Sequence, residues 1–125
     1  MNLEKVISGF FIIMALTLNF GFFYGDPAVI EYHNRYELFA AIIVNLIATI
    51  YKLGDKTQLG AVLLSTSLVA DIQLIGAAIV WTLGTYVVGM NAEISTAVIS
   101  LSGGALLANI ISVVLYCVDV LKSKR

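Results

Sequence analysis

Apolar residues gather along this chain in four long stretches, Val6 to Tyr24, Leu38 to Tyr51, Ile72 to Met90 and Ile94 to Leu121, marked off by charges and turn residues. A membrane span needs about 20 predominantly apolar residues, so the first, third and fourth stretches qualify directly. The second is short as a pure apolar run. Asp26-Pro27, however, reads as an N-cap followed by proline at the first helical position, and a helix opening there and reaching Leu53 is long enough. The pattern predicts one all-α domain, a polytopic membrane helical bundle of four transmembrane helices over residues 6–24, 30–52, 72–90 and 94–121.

The charges orient such a bundle. If each stretch crosses once, Lys5, Lys52, Lys56, Lys122, Lys124 and Arg125 fall on one side and only Arg35 on the other. The positive-inside rule then places both termini in the cytoplasm. The Gly25 to Glu37 and Asn91 to Glu93 connections face the exterior, where Asp26, Glu31, Glu37 and Glu93 make an acidic side. Thr57 to Ala70 is also apolar and lies before the third stretch. A fifth crossing there would force the basic tail outside, so three readings remain: a re-entrant hairpin ending at Asp71, a helix lying in the interface, or one long helix from Thr57 to Met90. The long helix would extend roughly 50 Å, against about 30 Å of hydrocarbon, and must tilt, break or protrude. The amino-terminal stretch has no small-x-small cleavage site after it and reads as a true span, not a signal peptide.

Composition narrows the function. At 60% hydrophobic residues the chain is far more apolar than a soluble domain. A net charge of -1, with no long basic run, argues against nucleic-acid binding. Cys117 is the single cysteine and His33 the single histidine, too few soft ligands for a transition-metal site, so neither metal nor cofactor is expected. No nucleophile elbow, His-Glu zinc pair, phosphate-cradling loop or paired carboxylates appear, and no catalytic residue is assigned.

Asp71 is the only charged residue between Lys56 and Glu93. An ionisable group in so apolar a stretch marks a functional site by default. With Ser65, Thr66, Ser67 and Gln73 nearby, and Asn45 on the second span, it offers oxygen ligands for a small cation or a proton. In a homo-oligomer Asp71 would repeat as an acidic ring. The competing reading makes Asp71 the N-cap of a helix starting at Ile72. Asn19, Asn45 and Asn109 supply one amide each to three spans, for cross-helix hydrogen bonds or an aqueous path. Thr96, Ser100, Gly104, Ala108 and Ser112 recur at every fourth position of the last helix and form a small-residue packing face, with Gly21 and Gly25 a shorter pair on the first. Glu31 with Arg35 and His33 with Glu37 form two i,i+4 pairs on a helix opening at Pro27, and Trp81 falls in mid-span.

Leu68-Val69-Ala70-Asp71-Ile72-Gln73-Leu74-Ile75, and the chain as a whole, resembles a family of small uncharacterised bacterial inner-membrane proteins. The resemblance implies the bacterial inner membrane and lends no activity. Small multidrug exporters, by contrast, carry a carboxylate in the middle of the first helix, where this chain has none. The functional expectation is an oligomeric membrane protein contributing to cation or proton movement through Asp71. The alternative is a non-conducting accessory subunit of a larger membrane complex.

Overall fold

The computed structural model describes residues 1–123. Lys124 and Arg125, two of the charges used to orient the bundle, lie outside the described residues. Four helices follow one another: α1 (Leu3–Phe23), α2 (Arg35–Lys52), α3 (Gln58–Leu83) and α4 (Ala92–Ser123), with no strand among the described residues. A 3-10 turn, Ile30–Tyr32, precedes α2, and a π-helical turn, Gly84–Val88, prolongs α3.

Local chemistry sets the helix ends. Asn2 caps α1 by accepting from the Glu4 N–H, with Glu4 itself in the electropositive first turn. Pro27 does not open α2, contrary to the expectation. Asp26 Oδ1 instead accepts from the Ala28 N–H at 3.0 Å and turns the chain, and Asn34 caps α2 through the N–H groups of Tyr36 and Glu37. The pairs Glu31–Arg35 and His33–Glu37 therefore never share a helix. His33 is buried, its two ring nitrogens facing the carbonyl oxygens of Phe22 (2.6 Å) and Asp26 (3.0 Å), and so ties the connection to the end of α1. Gly25 lies beyond α1 at φ 114, a conformation open chiefly to glycine; it serves this turn, not helix packing.

Thr57 caps α3 through the Gly60 N–H, and the helix runs unbroken through Thr57 to Ala70 and past Asp71. Of the three readings of that segment, the long helix is the one formed. Asp71 is internal to α3 and caps nothing. Gly89, at φ 98, ends the π turn.

The helices run up and down in a closed ring: α1 packs on α2 and α4, and α3 packs on α2 and α4. Facing pairs run antiparallel throughout, with Phe11 stacked on Tyr51, Thr49 on Asp71, Gln73 over Gly104 and Ser8 on Tyr116. The segments 3–23, 58–88 and 92–122 are each long and apolar enough to cross a membrane. α2, with 18 residues, extends about 27 Å, so α3 and α4 continue past its Lys52 end.

Polarity is distributed the reverse of a water-soluble bundle. Phe10, Phe20, Ile43, Ile72, Ile79 and Leu107 are exposed, whereas Asn19, Asn45, Asn109, Ser102 and Ser112 are buried. Burying polar groups while exposing large apolar ones is favourable where the surround is lipid. The apolar core, including Phe22, Leu38, Leu74 and Val98, fills the half of the bundle near Pro27. The other half buries Lys52, Ser67, Asp71 and Ser112 beside the apolar Ile12, Ala48 and Leu63.

Candidate functional site

Four positions on facing helices build a buried polar cluster at the Lys52 end of the bundle. On α2, Thr49 and Lys52 are three apart and share a face; on α3, Ser67 and Asp71 are four apart and do the same. Antiparallel packing sets the pairs opposite each other. Thr49 Oγ1 donates to Asp71 Oδ2 at 2.6 Å, and Lys52 Nζ donates to Ser67 Oγ at 2.5 Å. Ser112 on α4 closes the cluster, accepting from Lys52 Nζ at 2.5 Å. Lys52 is 6% exposed and Asp71 5%, so one formal cation and one formal anion are enclosed together. Burying either alone is costly, and each is the nearby counter-charge of the other.

One atom in this cluster lacks a partner. Asp71 Oδ1 is buried and accepts no hydrogen bond. Buried polar atoms are satisfied in the great majority of cases, so an orphaned carboxylate oxygen singles out Asp71 among the buried groups of the bundle.

Lys52 also forms part of the floor of a cavity of about 380 Å³ that opens at the end of the bundle, where α1, α3 and α4 reach past α2. Glu4, Lys5, Ser8, Asp55 and Asp119 line it with charged and polar groups. The Tyr116 hydroxyl braces one wall, paired with Ser8 Oγ at 2.6 Å and donating to the Lys5 carbonyl at 2.8 Å. At the rim, the Thr57 hydroxyl and N–H hold the Asp55 carboxyl below its ordinary range. The cavity thus reaches Lys52, whose partner Ser67 stands one helical turn before Asp71 on α3.

Among the residues singled out from sequence, the structure brings Asp71, Ser67 and Ser112 together. Asn45 is buried one turn above Thr49 and donates to the Ala41 carbonyl of its own helix. Ser65 and Thr66 do not join. Each donates back to α3, to the carbonyls of Ala61 and Leu63. Gln73 lies over Gly104 at the α3–α4 contact, where a Cβ at Gly104 would collide with its carboxamide. Asn109 donates to Asn19 Oδ1 (3.0 Å), and Asn19 donates to the Ser102 carbonyl (2.9 Å), a fully internal tie between α1 and α4. The small-residue face divides: Ala108 and Ser112 are buried, Gly104 is half-buried, and Thr96 and Ser100 are exposed. Gly21 packs beneath the Glu37 carboxylate.

Lys52 and Thr49 were not among the site residues expected from sequence. In the sequence Lys52 closes an apolar run and reads as a loop charge; its three-residue spacing from Thr49 is the available sign of a shared face. The Asp71 side chain meets α2 of its own chain, so it lies inside one bundle and not on an outer surface where copies would form an acidic ring. Among the described residues, no three His, Cys, Asp or Glu side chains gather as a metal site.

Fold and site together define a small all-helical protein with helices of membrane-crossing length around an enclosed lysine–aspartate cluster. Residues 32–120, which hold the whole cluster, match the family of unknown function DUF6394, and the chain belongs to that family. No curated protein and no solved structure matches it.

Proposed function

We propose that the protein is a four-span component of the bacterial inner membrane that moves protons, with Asp71 as the titrating carboxylate and both termini in the cytoplasm. The observation that carries the reading is the orphaned Oδ1 of Asp71. Buried carboxylate oxygens are engaged in the large majority of cases, and an oxygen left open is where a proton or an arriving water can be accepted.

The neighbouring ammonium favours a proton over a metal cation. Lys52 already holds a positive charge in the same enclosed cluster, which opposes the arrival of a second fixed cation. A proton adds to Asp71 without needing an oxygen cage. Water in the cavity would reach Lys52 from the cytoplasm, and the hydroxyls of Ser67, bonded to Lys52, and of Thr49, bonded to Asp71, can each donate and accept a proton between the two ends of the cluster. Beyond Asp71 the apolar core around Leu74 and Phe22 blocks the exterior half, so release there requires α2 and α3 to part. The orientation rests on the basic residues Lys5, Lys56 and Lys122 sharing one end.

The test is proton flux into liposomes carrying a pH-sensitive dye and an imposed gradient. Wild type and Ser65→Ala, whose hydroxyl lies outside the cluster, should dissipate the gradient alike, while Asp71→Asn slows it by about tenfold or more, within the range for loss of one acid–base group. No dissipation by the wild type would leave the accessory-subunit reading, with the cluster as an internal fastening.

A further inference from the structure

We propose that the groove between α2 and α3 at the Pro27 end of the bundle is a binding site for an anionic phospholipid, with Arg35 at the phosphate and Trp81 and Phe39 against the upper acyl chain. The inference rests on the membrane placement of the bundle and is independent of whether protons move.

The groove encloses about 270 Å³. Arg35 and Tyr36 form its outer rim, Phe39 and Trp81 its inner walls, and Thr82 and Tyr86 its far side. This order is amphipathic along the bundle axis. A cation and a phenol sit at the helix end, and rings lie one turn deeper, near the depth where a headgroup gives way to hydrocarbon. Trp81 was read from sequence as a mid-span residue. Because α3 starts at Gln58, Trp81 in fact stands close to the far end of that helix, level with Leu38 and Phe39 beside it in the groove.

Charge complementarity identifies the occupant. Arg35 is exposed, and its guanidinium lies 5.5 Å over the Tyr36 ring with no ion pair to any described residue. It is the only basic residue in the segment from Asp26 to Tyr51. The nearest acidic residue on its own helix, Glu37, turns away to α1, where its carboxylate covers Gly21. A guanidinium left unpaired at a membrane boundary matches a phosphate bidentately. A headgroup without a cation of its own is preferred, because the ammonium of a zwitterionic lipid competes with Arg35 for the same phosphate. Thr85 and Tyr86 of the π turn at Gly84–Val88 line the groove on the α3 side, where the headgroup would lie.

Trp81 is the only tryptophan in the chain, so its fluorescence reports the groove alone. The full-length protein would be reconstituted into phosphatidylcholine vesicles containing increasing phosphatidylglycerol brominated high on its acyl chains, and in parallel into phosphatidylglycerol vesicles containing brominated phosphatidylcholine. The expected result is a relative association about fivefold in favour of phosphatidylglycerol, as one interfacial arginine would produce. Arg35→Gln should bring the two lipids to parity, with Arg35→Lys between. Equal quenching by both lipids in the wild type would overturn the proposal, as would a preference that survives Arg35→Gln. So would an unquenched Trp81 in a protein that elutes as a dimer, since a second copy would then fill the groove.

Discussion

At the scale of single residues, the energetics of the bundle turn on Lys52 and Asp71. Each would be untenable alone in an interior that is 94% or more closed to solvent at both positions. Together, and with three hydroxyls, they form a cluster in which the ammonium donates to two serine hydroxyls and the carboxylate has one of its two oxygens engaged. Lys52→Met should therefore destabilise the fold by about 3 kcal/mol, the lower end of the cost of leaving a buried charge without its counter-charge. Adding Asp71→Asn to that variant removes the stranded carboxylate and should restore at least ~1 kcal/mol, a coupling read from detergent-unfolding curves of the two single variants and the double. Strict additivity would mean that the two charges do not sense each other. Asp71 was conspicuous because nothing else charged lies near it in the chain, whereas Lys52 was hidden among basic residues that mark a boundary.

Helix starts are the decisive feature at the scale of elements. Both corrections to the expected boundaries share one cause: a side-chain acceptor immediately before the first helical residue, bonding N–H groups two or three residues on, outweighs proline or an intramembrane aspartate as a starting signal. Asn34 takes two N–H groups and sets α2 at Arg35; Thr57 takes the Gly60 N–H and sets α3 a full 14 residues before the start expected at Ile72. Asn34→Ala should cost about 1 kcal/mol and speed amide exchange in the first turn of α2 while sparing the turn around His33. Unchanged exchange at Tyr36 and Glu37 would show that packing alone holds that end. The length of α3 has a functional consequence. By reaching past the end of α2, it walls the cavity whose floor is Lys52.

For the whole molecule, an asymmetric interior is the main property. The half near Lys52 holds the buried charged cluster and opens through its cavity, and the half near Pro27 is packed around Phe22, Leu38, Leu74 and Val98. A four-span arrangement requires the Gly54–Thr57 and Gly25–Asn34 connections to lie on opposite sides of the membrane. After Cys117 is replaced, cysteines placed at Lys56 and at Glu93 should react with an impermeant maleimide from opposite faces of sealed vesicles. Labelling of both from one face would break the four-span topology and, with it, the proposed access from the cytoplasm.

Hydrophobic content and charge position are properties of the chain itself, and they determined the all-helical class, the number of helices and the prominence of Asp71. Each follows from composition summed over many residues, so no single contact alters it. What only the tertiary structure decided is which polar groups meet. The difference between Ser67, which binds Lys52, and its neighbours Ser65 and Thr66, which bind only their own helix, is about 100° of helical rotation per residue. That rotation acquires meaning only when α2 is set antiparallel beside α3 in one register, and the register is the joint outcome of packing along both helices.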